Sequence, residues 1–589
     1  MASPSNTEVV RFLFDHSALL ELSGDSSFRV RAFANAARMI DELEVDVADM
    51  AAAGTLTSIE GVGQGVAELV TEFVESGKAR DHDELRGKVP RGLLDVLRIP
   101  GLGTRKVKAI YDALNIAGVE ELEQACRSNE VSRLPGFGVK TEQNILRSIQ
   151  GLKKFRGQYR FGEALDDART LCDSLRAHPE AIRVSIAGSL RRCREIVKDI
   201  DLVVSSRMPT AIADAFATHP LVVEVMAQGE TKTSVRLLSG IQADLRVVSD
   251  EHFPSILHHF TGSADHNVQM RSRALARDMH LNEYGLSRGD EAVACEDEIE
   301  LFKALDLPYI PPELREGLGE LSAAEGGRLP DLISADQIRG ALHVHSDYSD
   351  GSSTLEEMAE AVRSRGLDYV GFCDHSKSAG YVFGLKEDDV RQQHEEIDRL
   401  NREYDNFRIF KGIESDILKD GGLDYDDDVL DRFDFVVIAV HAPLNMTETE
   451  MTRRVVKAIE HPASTILAHP TGRILLEREG IPINIDDILA AAAEHGVSVE
   501  LNAHPHRLDL DWRHLRKARE LGVKIAINTD AHSTVDLDYI HCGVGIARKG
   551  WLTSFDVLNA LDTEQIERHF TFGRSIDQAA QGVAHRDSA

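Results

Sequence analysis

From residue 341 onward the chain repeats one arrangement, a short apolar run that closes on a histidine or an acid and is followed by more polar sequence. "ALHVH" closes on His343 and His345, "DYVGFCDH" on His375, "FRIFKGIE" on Glu414 and "FDFVVIAVH" on His441. "STILAHP" adds His469, "VKIAINTDAH" adds Asp530 and His532, and "VSVELN" ends without a ligand. Runs of this length read as buried strands, and the stretches 354–365, 450–460, 485–495 and 513–521 between many of them read as helices. Such alternation implies parallel strands, because a parallel neighbour is reached only by a crossover. Seven strands would close a small barrel, with residues at their carboxyl ends gathered on one rim. His343 and His345 alone say little, since any i, i+2 pair in a strand shares a face. Together with Asp350, nine ligands converge, enough for two or three ions that share Glu414 as a bridge. His394, His461, His495 and His514 fall on expected helices and read as solvated.

The chain has 589 residues, 42% of them hydrophobic, which suits several domains with separate cores. It has no run of eighteen apolar residues and no secretory signal pattern at its start, so a cytoplasmic protein without membrane contact is expected. Six scattered cysteines without a CxxC read as reduced thiols. A formal charge of −31 argues against a generic nucleic-acid binder, but the charge is uneven. Residues 151–250 carry 15 Lys and Arg against 13 Asp and Glu, and most of the excess acid lies after 250. The middle of the chain can still face DNA.

Near the front, "IEGVGQGVAELV" (59–70), "IPGLGTRKVKAI" (99–110) and "LPGFGVKTEQNI" (134–145) repeat an apolar residue, GxG and a helix start. These are three helix-hairpin-helix motifs, with glycine pairs Gly61 and Gly63, Gly101 and Gly103, and Gly136 and Gly138. Glycine permits the tight hairpin and a close approach, so backbone N–H groups at a helix N-terminus can meet a DNA phosphate. That contact ignores base sequence and needs little side-chain charge.

In the middle, "VSIAGSLRRCREIVKDIDLVV" (184–204) ends in a strand that places Asp199 and Asp201 on one face and Ile200 and Leu202 on the other. "GIQADLRVV" offers a second strand, with Asp244 between core-facing Ala243 and Leu245. Upstream, a Gly-Ser turn beside Arg191 and Arg192 is sized for phosphate. Three carboxylates on adjacent strands suit two divalent ions in phosphoryl transfer, one activating a 3'-hydroxyl and one neutralising pyrophosphate.

"GSLRRCREIVKDID", "ADLRVV" and "HHFTGSADHNVQMR" (258–271) resemble the palm signature, third catalytic aspartate and thumb segment of the family X DNA polymerases. The resemblance implies that Gly188, Ser189 and Arg192 cradle a deoxynucleoside triphosphate, that Phe260 and Gly262 pack on its sugar, that Asn267 meets the base edge and that Arg271 lies near the template. Mg2+ or Mn2+ would serve Asp199, Asp201 and Asp244. The back of the chain resembles the polymerase and histidinol phosphatase (PHP) superfamily, a distorted (β/α)7 barrel. That resemblance assigns one ion to His343, His345, Glu414 and Asp530, a second to Glu414, His441 and His469, and a third to Asp350, His375 and His532, as Mn2+ or Zn2+.

The expected organisation is multidomain: a helical helix-hairpin-helix domain at 1–88, fingers at 89–153, an α+β nucleotidyltransferase palm at 154–250 and a thumb at 251–318. A Pro- and Gly-rich linker at 319–335, the PHP barrel at 336–575 and a polar tail at 576–589 complete it. The implied function is filling of short gaps in gapped or nicked double-stranded DNA by a monomer. Its barrel would process 3' ends as an exonuclease, abasic endonuclease or 3'-phosphatase. Two rivals make the barrel a phosphatase or phosphoesterase behind an inactive front, or make the front a clamp that only recruits the barrel. Three positions depart from the family pattern. His259 stands where a tyrosine precedes the thumb motif, so weaker rejection of ribonucleotides is expected. Lys198 replaces a glycine before the first aspartate. Leu69 occupies the place of the lysine that forms a Schiff base in relatives with lyase activity.

Overall fold

The computed structural model describes residues 6–571 except 42, 44, 60, 91, 98, 100, 156, 380 and 381, so the tail expected at 576–589 lies outside the described residues. Two compact units divide the chain, Met1–Arg156 and Gly157–Ala589.

The first unit is helical and contains the three hairpins. Helices Val47–Ala53, Gly92–Leu97 and Val119–Arg127 lead into them, and helices Gln64–Ser76, Thr104–Leu114 and Val139–Lys154 leave them. In Gln64–Ser76 the residues Val66, Ala67, Leu69 and Val70 form one apolar stripe that enters a core with Phe12, Leu13, Phe33 and Ile40. The helix stops at Gly77, whose φ of 70° lets its N–H reach the Phe73 carbonyl.

The second unit begins with a five-stranded sheet of β1 (Ala181–Ile186), β2 (Asp199–Ser206), β3 (Val222–Gln228), β4 (Lys232–Leu237) and β5 (Gln242–Val248), in the spatial order β1-β2-β5-β4-β3. β2 and β5 run parallel with Asp201 opposite Asp244, and the remaining pairs are antiparallel. Alternation along β2 sends Ile200, Leu202 and Val204 into a core shared with Phe161, Leu171, Ile212 and Phe216 of the helices Phe161–Arg176 and Pro209–Ala217. The opposite face is covered by helix Phe253–Thr261 over Val203 but carries Asp199 and Asp201 at the start of the strand.

Seven further parallel strands form the expected barrel. They are β6 (Gly340–Val344), β7 (Tyr369–Phe372), β8 (Arg408–Lys411, resuming at Glu414–Asp416), β9 (Val437–Ala439), β10 (Ile466–Leu467), β11 (Ser498–Asn502) and β12 (Ile525–Asn528). Single bridges, Val344 to Ala531 and His375 to Glu414, connect the three- and five-stranded parts. Thr354 and Thr447 start the helices Leu355–Ser364 and Glu448–Ile459 with capping boxes completed by Glu357 and Glu450, which satisfies N–H groups that would otherwise lack partners.

The sheet and the barrel share one hydrophobic core, so the second unit is continuous across them. Glycines permit the closest approaches: a Cβ on Gly162 would lie 2.8 Å from Pro505, and one on Gly545 would lie 3.0 Å from the Cys193 sulfur. All six cysteines are free thiols, and among the described residues no helix is long and apolar enough to cross a membrane. His394 departs from the solvated reading. It lies edge-on to Phe433, and burial lowers its pKa to about 4, so it is a neutral packing residue.

Leu69 is 5% exposed and belongs to the helical core. An amine there would face apolar side chains. Borohydride trapping on an incised abasic duplex is therefore expected to yield no adduct on residues 1–90. Efficient capture of a lysine in that range would overturn the reading of Leu69.

Candidate functional site

Each hairpin uses its two glycines differently. Gly61, Gly101 and Gly136 have φ values of 80°, 82° and 83°, a region that favours glycine. Gly63, Gly103 and Gly138 are extended N-caps, and no side chain caps the helix they start. The first-turn N–H groups thus lack the usual side-chain acceptor, which is the arrangement that receives an anion at a helix N-terminus.

On the sheet, Asp199, Asp201 and Asp244 converge as the register requires. Burial and then the neighbouring Asp199 and Asp244 carboxylates push Asp201 up to about 7, so the group resists ionising unless cations sit among the three. Asp199 is also raised, first by burial and then by Asp244. Burial opposes ionisation of Asp244 too, but hydrogen bonds from Lys232, Gln242 and Ser234 outweigh it and hold the carboxyl below its ordinary value. Lys232 Nζ lies 2.7 Å from Asp244 Oδ2, and Gln242 Nε2 donates to Oδ1 at 3.0 Å. Gly188 has a φ of 63°, and a Cβ there would meet Asp201 Oδ2 at 2.1 Å, so only glycine lets the turn cross this close to the acids. Ser189 is half-buried beside it.

The two arginines have different partners. Arg191 joins Thr261 and Glu298, and the fully buried Arg315 lies 2.5 Å from the same Glu298. Arg192 donates from Nε to Glu316 at 3.1 Å and from Nη1 to the Thr261 carbonyl. Beyond them Phe260 faces the Arg246 guanidinium at 4.6 Å, and Gly262 has a φ of 69°. Asn267 Nδ2 donates to the His259 carbonyl at 2.8 Å while its Oδ1 is buried without a partner. Arg271 is exposed. His259 is half-buried, and burial lowers its pKa.

At the barrel rim all nine expected ligands come together. Contacts run along the expected sets: Glu414 meets His441 at 3.3 Å and His469 at 3.0 Å, and Asp350 meets His375 at 3.5 Å and His532 at 3.3 Å, while the tightest groupings take in eight of the nine, without His469. His343, His345 and Asp530 form one cluster, His345, Asp350, His375 and His532 a second, and His375, Glu414 and His441 a third, with ligand atoms within 4.8 Å of one another in each. His345 and His375 serve two clusters, because side chains on a closed rim reach both neighbours. Glu414 lies 3.6 Å from His343, 3.8 Å from His345 and 3.0 Å from His469, which keeps it central. Buried His343 Nε2 and His345 Nδ1 have no hydrogen-bond partner, and His375 Nδ1 and Glu414 Oε2 face each other at 2.9 Å without hydrogen-bond geometry. Orphaned nitrogen and carboxylate atoms of this kind are costly unless a cation takes them, so the donor set fits divalent ions. Glu414 and Asp530 are held well below their ordinary values by the surrounding imidazoles, although burial opposes it.

Several supporting residues escaped the sequence reading. Glu500, in the run that ends without a ligand, lies with Oε2 2.6 Å from His343 Nδ1. It also accepts hydrogen bonds from Asn502, Asn528 and the His469 N–H. Asp416 lies 2.6 Å from His441 Nδ1 in the same relation. Asp374 accepts from Ser346, Ser349 and Gln393 and so pins the loop that carries Asp350. The available signal was the acid inside an apolar strand, since a buried carboxylate needs partners.

Matches to known proteins follow this geometry. Residues 4–79 match a helix-hairpin-helix domain, 93–150 a SAM-like helix-hairpin-helix tandem, 256–316 the DNA polymerase beta thumb and 341–504 the PHP domain. The DNA polymerase/3'-5' exonuclease PolX of Bacillus subtilis (strain 168) is 39% identical over 95% of this chain and 98% of its own length. A probable phosphatase of Thermoanaerobacter sp. (strain X514) is 27% identical over 37% of this chain and 88% of its own. DNA polymerase lambda of Rattus norvegicus is 27% identical over 44% of this chain and 48% of its own.

A carboxylate that orients a ligating histidine is worth about 10- to 100-fold in metal affinity. Glu500→Gln is expected to weaken Mn2+ binding by an amount in that range, read by titrating the metal-stripped protein. Unchanged affinity would remove Glu500 from the site.

Proposed function

Because this chain belongs to the bacterial PolX family, the family X DNA polymerases that carry a PHP domain, we propose that it extends DNA primers at Asp199, Asp201 and Asp244 and removes 3'-terminal nucleotides at the barrel rim. The observation that carries the polymerase reading is the parallel register that sets Asp201 opposite Asp244 with Asp199 on the same face. An inactive front would have no need to keep three mutually repelling acids together.

Asp199, Asp201 and Asp244 would hold Mg2+ or Mn2+, and the nine rim residues would hold Mn2+ or Zn2+. When bound, such ions neutralise phosphate charge and make a hydroxyl or water a better nucleophile. The protein's own groups supply placement. Gly188 and Ser189 bring the turn against the acids, where Arg192 would meet the triphosphate of the incoming nucleotide. Lys232 and Gln242 keep Asp244 ionised and aimed. Phe260, Gly262 and Asn267 line the thumb side for sugar and base, and Arg271 is free to face template. Backbone N–H groups after Gly63, Gly103 and Gly138 would grip phosphates, so an acidic chain can hold gapped or nicked duplex DNA without a basic surface. Glu500 and Asp416 orient His343 and His441 for the nuclease. Likeness over the barrel to a protein named a probable phosphatase supports a second activity there on terminal 3'-phosphates, since in both reactions water attacks a phosphorus and a 3'-hydroxyl leaves.

Asp201→Ala is expected to abolish extension on a gapped duplex and to spare 3'-end degradation. His343→Ala is expected to do the reverse. Both activities are read on one preparation of each variant, with 3'-phosphorylated and 3'-hydroxyl ends compared. Normal extension by Asp201→Ala, or wild-type degradation by metal-replete His343→Ala, would sink the corresponding assignment.

A further inference from the structure

The barrel is more than an attached nuclease, because one of its lysines reaches the nucleotide-binding turn of the polymerase. Lys549 ends the helix Ile540–Lys549 and is 1% exposed. Its Nζ lies 2.5 Å from Glu316 Oε1, donates to the Arg192 carbonyl at 2.9 Å and sits 4.6 Å from the Trp512 ring. Glu316 is nearly buried and accepts from Arg192 Nε at 3.1 Å and from Arg194 Nη1 at 3.2 Å. Lys549 therefore touches Arg192 twice, directly at the main chain and through Glu316 at the guanidinium. Alongside, Glu195 accepts from Trp512 Nε1 at 3.1 Å and Arg513 Nη1 at 3.0 Å, which ties the same short segment of the polymerase to the barrel.

We propose that Lys549 is a positioning residue for the polymerase: with Glu316 it fixes Arg192 at the nucleotide-phosphate turn, so the barrel helps set the affinity for incoming nucleotide. The inference rests on the reading that Arg192 meets the triphosphate. Packing alone does not account for Lys549, since replacing a buried ion pair by hydrophobic residues of similar volume is often neutral or stabilising. What the charges add is direction. Without Lys549, the Arg192 main chain and the Glu316 carboxylate lose the ammonium that fixes them, so the guanidinium is no longer aimed, and Glu316 places more negative charge beside an incoming triphosphate. Both effects weaken nucleotide binding while leaving the rim of the barrel untouched.

Single-nucleotide gap filling tests this with Lys549→Met, Lys549→Arg, the double variant Lys549→Met with Glu316→Gln, and Arg192→Ala as reference. The expected result for Lys549→Met is a KM for deoxynucleotide raised roughly tenfold, the scale of one lost charge-assisted hydrogen bond, with smaller change in kcat and unchanged 3'-end degradation. Lys549→Arg should recover part of the loss. The double variant leaves no unpaired acid at position 316, yet its KM should stay high because Arg192 is still unguided. A wild-type KM in Lys549→Met or in the double variant would overturn the proposal, as would loss of both activities in the double variant, which would make Lys549 only a structural post. If Arg192→Ala itself leaves KM unchanged, the triphosphate reading fails and takes this inference with it. If Arg192→Ala raises KM and Lys549→Met does not, only the role of Lys549 fails.

Discussion

Two places in this molecule take carboxylates out of water and gather them with other titratable groups, acid beside acid on the sheet and acid among imidazoles at the barrel rim. On the sheet, burial and two acidic neighbours push Asp201 up to about 7. At the barrel rim, Glu414 and Asp530 are buried among imidazoles, and His343 Nε2 and His345 Nδ1 have no hydrogen-bond partner. A fold that gathers such groups is less stable by itself than one that scatters them. Divalent cations remove the penalty and at the same time supply the chemistry that phosphoryl transfer needs.

The two sites solve the problem with different scaffolds. On the sheet the parallel pairing of β2 and β5 brings the acids together from strands about forty residues apart, and Gly188 allows a turn to cross within contact of them. Lys232 and Gln242 then keep one acid ionised. In the barrel the ligands come from successive strand ends, and a ring of supporting acids and amides holds them in place. Glu500 fixes His343, Asp416 fixes His441 and Asp374 fixes the loop of Asp350. Rigid strands set positions, and hydrogen bonds behind them set orientations, which is how metal-binding groups keep their aim.

The hairpins follow a different logic. Their side-chain charges nearly cancel, Arg105, Lys106, Lys108 and Lys140 against Glu60, Glu68 and Glu142, so the chain's net charge of −31 is compatible with DNA contact through backbone N–H groups. The shared core between sheet and barrel, together with Lys549 and Glu195, makes the second unit one body rather than two enzymes joined by a tether.

Much of this was legible without coordinates because local periodicity carries it. The alternation in "DIDLVV" already separated acids from core, the GxG repeats already marked three tight hairpins, and the apolar runs ending in possible ligands already pointed to a barrel with one functional rim. What the sequence could not determine was any relation that depends on which side chains meet across the fold. The grouping of His345 and His375 with two clusters each, the support of His343 by Glu500, the burial of His394 against Phe433 and the reach of Lys549 to Arg192 join residues as much as 357 positions apart. Spacing along a chain fixes the face of a strand or helix. Only packing decides what stands opposite that face, because a side chain's partners come from whichever elements the core brings alongside.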